Sequence, residues 1–212
     1  MSRTAPTRLP ELMSSDRSDL DTLLDKTVLA HIAFVSGDGT PALIPTMAAR
    51  WGDRILVHGS TGSTWMRQVA AGIPVAVSLA VIDGIVVARS AFESSLLYSS
   101  AVLFGSFAPV AAEEKEAALE VFTNRLLPGR AGEVRHSTAR ELAATILLAM
   151  PIGEWSLRGS NGWPDDPESD VSGPAWAGHI RFAPPGVTVT AAPDLRAGIP
   201  VPASISAVRG VR

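Results

Sequence analysis

The stretch DRILVHGSTGSTWMRQVAAG, residues 53–72, carries the side chains best suited to hold an anion. A short apolar run leads to His58, and a cluster of glycine, serine and threonine follows before a predicted helix with Ser63 as its N-cap. A strand that ends in small residues at a helix start can offer N–H groups and hydroxyls to a phosphate. The nearest cation is Arg67, one turn inside the helix. The stretch therefore predicts a phosphate-binding loop with little positive charge.

Three side chains could transfer protons if the fold shields them from water. His58 ends a strand, Glu93 lies in a polar loop, and Tyr98 lies on a long apolar strand. Each also has a structural explanation, since His58 could bond loop carbonyls, Glu93 could be a solvated carboxylate and Tyr98 could fill an interface. His31 lies within a strand, which favours a structural or interface role. No group of residues has metal-ligand spacing, so the sequence predicts no metal site.

The elements that position these residues are mostly strands. Alternating or β-rich runs predict strands at residues 28–36, 41–51, 54–59, 96–110 and 153–160, and a hairpin over 74–90 that turns at Asp83-Gly84. The segment GDGT at residues 37–40 and the pair Gly52-Asp53 predict tight turns between the first three strands. Helical patterns occupy residues 14–27, 63–72, 111–127 and 137–150. The first of them offers Ser15 or Asp16 as its N-cap and has Leu20, Leu23 and Leu24 on one face. Together these strands and helices predict a mainly β fold with α insertions, in the form of a six- or seven-stranded antiparallel barrel.

The chain divides into three parts by composition. Residues 1–15 are predicted to be a loose N-terminal arm, residues 16–160 the barrel domain, and residues 161–212 a Pro/Gly-rich extension that wraps the core.

Composition excludes several classes of protein. The 212 residues are 46% hydrophobic and 18% charged, with a net charge of −3 and no basic run, which indicates a globular protein that does not bind nucleic acid. No apolar run is long enough for a membrane span, and residues 1–21 lack the apolar region of a signal peptide. With no cysteine there are no disulfides, and we expect a cytoplasmic protein. Scarce lysine with abundant alanine and arginine is typical of a high-GC bacterial genome.

Five motifs occur in a recognisable order: AFVSGDGTPALIPT, RILVHGSTGS, IDGIVVARSAF, YSSAVLFGSFAPV and LLPGR. In these motifs and their spacing the chain resembles the FMN-binding split-barrel proteins. This is the pyridoxamine 5′-phosphate oxidase-like group, and the resemblance is to its flavin-nucleotide-binding branch near the nitroimidazole-resistance proteins. The resemblance covers roughly residues 20–160.

The resemblance implies a homodimer of split barrels with FMN in the groove between the subunits. The flavin ring would lie against the strand that contains Pro45 and Thr46, and the phosphate near the loop that follows His58. The positions that match the family's cofactor site, together with the nearby cation, are Pro45, Thr46, His58, Ser60, Ser63, Arg67, Tyr98 and Ser100.

Several positions depart from the family pattern where the phosphate charge would lie. Thr64 and Ser99 stand where the family has arginines, and Glu93 and Ser94 replace two histidines. Each arginine–phosphate hydrogen bond contributes about 1.5–3 kcal/mol, so losing two arginines is expected to weaken FMN binding by about two to four decades. Either Arg67 or Arg89 could supply replacement charge.

Three functional hypotheses follow. The leading one is an FMN-binding oxidoreductase that acts on a small organic substrate. The alternative is a flavin-free barrel repurposed as a non-redox cyclase or isomerase, in which His58, Glu93 and Tyr98 move protons. The third is a binding or sensor module for haem, a deazaflavin or a small metabolite, with His58 or His31 as the axial ligand of haem iron.

Overall fold

The computed structural model describes Thr4 and residues 9–182 and 201–207. Within them, the helices are α1 (Arg17–Lys26), α2 (Thr64–Ala70), α3 (Lys115–Leu126), α4 (Ala139–Ala144), α5 (Glu168–Val171) and α6 (Ala203–Ser206). The strands are β1 (Met13–Ser14), β2 (Leu29–Val35), β3 (Pro41–Trp51), β4 (Arg54–Ser60), β5 (Pro74–Val87), β6 (Ser95–Ser106), β7 (Ala108–Pro109), β8 (Thr145–Pro151), β9 (Glu154–Ser160) and β10 (Gly178–Arg181). Two 3₁₀ turns cover Pro10–Leu12 and Arg130–Glu133.

All the strands belong to one antiparallel sheet with the order β1-β9-β6-β5-β2-β3-β4-β8-β7, and β10 pairs with β5. The predicted mainly β, split-barrel fold class is confirmed. The described part of the chain has ten strands rather than six or seven, because the short strands β1, β7 and β10 add to seven long ones. Strand pairing does not close this sheet within the described residues.

Alternation along each strand builds the main core. On β2, Ala30, Ile32 and Phe34 are buried while His31 and Ala33 face outward. The inward side chains of the long strands pack with Leu20, Leu23 and Leu24 of α1 in one cluster and are thereby removed from water. The strand pattern of the sequence therefore sets which residues remain on the outer face.

Helix α3 covers part of that outer face. Its buried residues Ala118 and Phe122 pack in a second cluster with Ala49 of β3, Leu56 of β4 and Leu147 of β8. The outer faces of β3, β4 and β8 are therefore closed over here, while other parts of the sheet remain open.

The predicted turns and the first helix are confirmed. Asp16 caps α1 by accepting a hydrogen bond from the Ser18 N–H. Gly39 and Gly52, in the two predicted hairpin turns, have positive φ values of 83° and 57°, which glycine adopts without a steric penalty.

The predicted hairpin at Asp83-Gly84 is wrong. Strand β5 runs without reversal through both residues and has only a register shift between Ile82 and Gly84. A Cβ on Gly84 would lie 2.3 Å from the carbonyl oxygen of Ile180 on β10. The glycine therefore permits close approach of a neighbouring strand rather than a turn.

The predicted helix over residues 137–150 is only partly correct. Helix α4 ends at Ala144, and the next seven residues form β8, which pairs along its whole length with β4. Thr138 is the N-cap and forms a capping box with Glu141. The run Thr145–Pro151 has four buried residues in succession, and pairing in the sheet overrides its helical pattern.

Parts of both predicted terminal segments contact the barrel domain. Met13 and Ser14 of the predicted arm pair with Arg158 and Leu157 of β9. In the predicted extension, Ser204 is buried and donates its backbone N–H to Glu133 at 3.1 Å. Residues 183–200 and 208–212 of that extension lie outside the described residues. No helix in the described part of the chain combines the length and apolarity that crossing a membrane requires.

Candidate functional site

Strands β3 and β4 separate at the place where the predicted cofactor residues lie. Their pairing runs from Trp51–Arg54 to Ala48–Val57 and ends there. Pro45 and Thr46 continue along β3, paired with β2 on the other side, and His58 continues along β4, paired with β8. The two strands thus part between the residues predicted to contact the flavin ring and those predicted to contact its phosphate.

The loop after β4 has its own hydrogen bonds. The side-chain oxygen of Ser60 accepts from the N–H of Gly62 at 3.1 Å, and its carbonyl accepts from the N–H of Ser63 at 3.0 Å. Thr61 donates its N–H to the carbonyl of Ala144 at the end of α4. These bonds fix a compact turn directly before α2, with Ser63 at the predicted N-cap position.

Arg67 folds back over this loop. Its Nη1 donates to the carbonyl of Thr61 at 3.0 Å and its Nη2 to the hydroxyl of Thr64 at 3.2 Å. The side chain forms no ion pair with any residue that the structure describes, so its charge is not neutralised there by a carboxylate. The guanidinium therefore lies beside the loop that was predicted to lack a cation.

Arg89 is held elsewhere. Asp166 accepts a hydrogen bond from the backbone N–H of Arg89 at 2.9 Å and another from its Nη1 at 2.9 Å. The Asp166 side chain is only 1% exposed and that of Arg89 is 27% exposed, so the carboxylate is shielded from water while the guanidinium is partly exposed. Of the two cations considered as replacements, Arg67 is the one at the loop.

His58 packs under α3. Its ring contacts the ring of Phe122 edge to face, with centroids 4.4 Å apart and an angle of 89° between the planes. Burial lowers the pKa of the His58 imidazole, because an apolar environment disfavours the charged form. The ring is therefore neutral at neutral pH and could serve as a hydrogen-bonding group.

Tyr98 lies on β6, which is not a neighbour of β3 or β4 in the sheet. Its hydroxyl accepts a hydrogen bond from Nε of Arg158 at 3.0 Å. Ser100, two residues along the same strand, pairs in register with Arg158. Tyr98 and Arg158 also line a cavity of about 330 Å³ between α1, the β1 segment and the ends of β6 and β9.

Glu93 lies in the loop between β5 and β6, where its backbone N–H donates to the hydroxyl of Ser90 at 3.2 Å. Strands β3, β2 and β5 lie between β4, which carries His58, and β6, which carries Tyr98. Within one chain the structure therefore groups Pro45, Thr46, His58, Ser60, Ser63 and Arg67 around the β3–β4 separation, and places Tyr98 and Ser100 apart from them. The catalytic roles of His58, Glu93 and Tyr98 stay predictions.

Sequence reasoning missed the partners of several of these residues. Phe122, which covers His58, is 64 positions away along the chain, and Asp166, which binds Arg89, is 77 positions away. No local pattern marks either partner. The only signal for Asp166 was its place in an acidic, proline-rich stretch, which is equally typical of a solvated loop.

Comparisons with known proteins agree with this architecture. The family model described as pyridoxamine 5′-phosphate oxidase matches residues 16–159. No curated protein matches the chain. Among solved structures, the FAD and haem binding protein from Mycobacterium smegmatis is 46% identical, with 94% of this chain and 98% of that chain covered and a TM-score of 0.89.

Two further structures extend the comparison. The flavocytochrome Anf3 from Azotobacter vinelandii is 29% identical, with 99% of this chain and 98% of that chain covered and a TM-score of 0.90. A third structure, from Bacteroides thetaiotaomicron, is described as a 5-nitroimidazole antibiotic resistance protein. It is 13% identical, with 68% of this chain and 84% of that chain covered and a TM-score of 0.57, and it shares the fold. The predicted resemblance is confirmed: the chain belongs to the pyridoxamine 5′-phosphate oxidase family of split-barrel proteins.

Proposed function

We propose that this protein binds a flavin nucleotide where β3 and β4 separate and that it is a flavin-dependent oxidoreductase for a small organic substrate. The observation that carries the proposal is the position of Arg67, whose guanidinium lies across the loop of residues 60–64 and has no carboxylate partner in the described part of the chain. The family and its flavin-binding relatives support the same assignment.

The residues around the separation fit the two ends of such a ligand. Pro45 and Thr46 offer an extended strand edge on the side facing away from β2, where a planar ring can lie against the backbone. The hydroxyls of Ser60 and Ser63 and the guanidinium of Arg67 offer polar contacts suited to a phosphate. A bound flavin supplies hydride and electron transfer, and the protein supplies orientation and exclusion of water.

His58 adds a neutral imidazole beside this site. Because its pKa is lowered by burial, the ring can donate one hydrogen bond and accept another at neutral pH without carrying charge. We assign it to orienting the ligand or the substrate. The alternative is a non-redox enzyme in which His58, Glu93 and Tyr98 transfer protons. Within one chain the contacts favour it less, because His58 packs against Phe122 whereas Tyr98 bonds to Arg158.

The sequence resemblance predicts that the flavin is FMN, whereas the 46% identical relative is described as binding FAD. The charge at the loop is compatible with either, because both nucleotides present a phosphate group. We therefore include FAD beside FMN, and the first experiment compares them.

The experiment is titration of the purified, flavin-free protein with FMN and with FAD, followed by quenching of flavin fluorescence. Arg67→Ala is expected to weaken binding of the preferred flavin about tenfold to a hundredfold, the effect of one charge-assisted contact. Arg181→Ala is the matched control, because it removes an exposed arginine from β10, outside this site. Absence of binding by the wild-type protein, or equal affinities for Arg67→Ala and the control, would contradict the proposed site.

Haem is a second candidate ligand, favoured by His31. This histidine faces outward between Pro45 of β3 and Ser78 of β5, and its ring forms no hydrogen bond with the residues that the structure describes. Exposed leucines lie nearby, with Leu29 at 51% and Leu43 at 61% exposure. An imidazole on an apolar surface is a suitable axial ligand for haem iron, and both full-length structural relatives are described as haem or cytochrome proteins.

Of the two histidines predicted as haem ligands, the contacts favour His31. His58 is covered by Phe122, so a macrocycle would have to displace α3, whereas His31 is on an open face. Titration with hemin is expected to give a shifted Soret band that His31→Ala abolishes and His136→Ala retains. A Soret band that persists in His31→Ala and disappears in His58→Ala or His179→Ala would contradict this assignment.

The same open face supports the predicted homodimer. Leu29, Val35 and Leu43 are large apolar side chains that are each more than half exposed in the single chain. We propose that a second copy covers them, so that haem bound to His31 would lie between the two subunits. Light scattering during gel filtration is expected to give the molar mass of a dimer for the wild-type protein and a lower mass for Leu43→Asp. Val171→Asp, which changes an exposed apolar residue of α5, is expected to remain a dimer. A monomeric wild-type protein would contradict the proposal.

A further inference from the structure

Three side chains suited to bind a metal ion meet on the outer side of α3. Glu116 and Glu120 are one helical turn apart and therefore lie on one face of the helix. His136, in the segment between the second 3₁₀ turn and α4, approaches both of them. Its Nδ1 lies 3.3 Å from a carboxylate oxygen of Glu116 and 3.8 Å from one of Glu120.

The spacing of these donor atoms matches a shared metal ion. Zinc binds imidazole nitrogen and carboxylate oxygen at about 2.0–2.2 Å, so the donors in a tetrahedral site lie about 3.3–3.6 Å apart. The donor atoms of Glu116, Glu120 and His136 all lie within 4.8 Å of one another. Small rotations of exposed side chains would close the remaining difference.

The surroundings favour a cation over an alternative ion pair. Among the described residues, neither glutamate forms an ion pair with a lysine or arginine. The nearest arginine in the same segment, Arg135, is engaged by Glu141 through two hydrogen bonds of 2.9 and 2.7 Å. The two carboxylates bring two negative charges to the site, which a divalent ion would neutralise.

A further contact orients one of the ligands. The backbone N–H of Ser137 donates to Oε1 of Glu116 at 3.2 Å, the kind of second hydrogen bond that holds metal-binding carboxylates in place. The three ligands also border a cavity of about 90 Å³ between α3 and residues 131–137. The site therefore joins α3 to the segment of residues 131–137 and does not lie on one helix alone.

We propose that Glu116, Glu120 and His136 form a binding site for a divalent transition-metal ion of the zinc class. The site uses none of the residues proposed to bind flavin or haem. It would clamp the segment that follows the second 3₁₀ turn onto α3. That turn contains Glu133, which binds the buried Ser204, so the ion would also fix the attachment point of the C-terminal segment.

The test is calorimetric titration of the full-length, tag-free and metal-free protein with Zn²⁺, repeated with Co²⁺ to record its visible absorption bands. We expect one ion per chain, a rise in the melting temperature with Zn²⁺, and affinity at least tenfold weaker in Glu120→Gln and in His136→Ala. Glu113→Gln is the matched control, since it removes a carboxylate next to α3 but outside the cluster.

The two variants replace exposed or half-exposed side chains, and we expect them to melt at the wild-type temperature without metal. Failure of the wild-type protein to bind Zn²⁺, or equal affinity in His136→Ala and the control, would overturn the site and show that His136 only pairs with the glutamates. Neither outcome affects the flavin titration, which is measured separately on Arg67.

Discussion

The ring of His58 meets the ring of Phe122 edge to face at 4.4 Å, which joins strand β4 to helix α3. Phe122 is 4% exposed and belongs to the apolar cluster under α3. The contact holds His58 in an apolar environment at the edge of the proposed flavin site, and this environment lowers the pKa of the imidazole. A structural contact thus sets the charge of a candidate functional group.

Stability is expected to fall as the pH is lowered below neutral, partly because of His58. In the unfolded chain the imidazole takes up a proton near its ordinary pKa of about 6.5, whereas in the folded protein it does so only at lower pH. The stability that neutral His58 contributes is therefore present above pH 6.5 and lost as the pH falls through the lowered folded pKa. Urea unfolding of wild type and His58→Gln from pH 7.5 to pH 5 measures the difference.

The variant is expected to lose less stability than the wild type over that interval, because glutamine does not titrate. Circular dichroism at pH 7.5 would establish that both proteins are folded. Identical pH slopes for the two proteins would show that His58 is not the group responsible.

Replacing Phe122 with alanine is expected to act on stability and on His58 together. Loss of a buried phenylalanine destabilises a protein by about 3–5 kcal/mol, and water admitted beside the imidazole would raise its pKa toward the ordinary value. NMR titration of the His58 ring protons, with urea unfolding, measures both effects. Phe92→Ala is the control, since Phe92 is 89% exposed, and a His58 pKa equal in both variants would contradict the explanation by burial.

Asp166 is expected to be required for attachment of residues 161–182 to the sheet. Its carboxylate accepts both the backbone N–H and the guanidinium of Arg89, and Asp166→Ala would leave both donors without that acceptor. We expect a loss of about 2 kcal/mol in the free energy of unfolding, together with faster proteolysis of this segment. The neighbouring Asp165→Ala removes an exposed carboxylate and should behave like the wild type. Equal losses in the two variants would exclude a specific role for the Arg89–Asp166 pair.

Gly84 is expected to be needed for the pairing of β10 with β5. A methyl group there would lie 2.3 Å from the Ile180 carbonyl oxygen, so in Gly84→Ala strand β10 must move away. We expect a destabilisation of about 1–3 kcal/mol and faster amide hydrogen exchange in Gly178–Arg181. In Gly153→Ala the added methyl group has no atom within 4 Å, and this variant should leave exchange in β10 unchanged. Unchanged exchange in Gly84→Ala would contradict the close approach.

Much of the fold followed from local sequence. Alternating apolar residues predicted β2 and β3, glycines marked their turns, and a cap at Ser15 or Asp16 with three leucines predicted α1, for which the structure selects Asp16. These features depend on residues close together in the chain, whose backbone preferences and caps act before any distant contact forms. The order of five motifs then indicated the family, which its matching model confirmed.

Only part of the candidate site could be predicted from local sequence. The loop after His58 and its helix cap could be located from small residues and Ser63. The arginine that supplies charge at that loop could not be chosen from the sequence, because either Arg67 in the following helix or Arg89 after the long β run could reach it. Only the contacts of Arg67 with Thr61 and Thr64, and of Arg89 with Asp166, separated them.

The sequence by itself determined the strand and helix periodicity, the tight turns and the family. Tertiary structure decided that residues 145–151 form a strand, that β5 passes straight through Gly84, and that His136 reaches Glu116 and Glu120. The physical reason is the same in each case. A strand is stabilised by hydrogen bonds to partners that are distant in the chain, and a side chain's charge and contacts depend on what the folded sheet brings beside it.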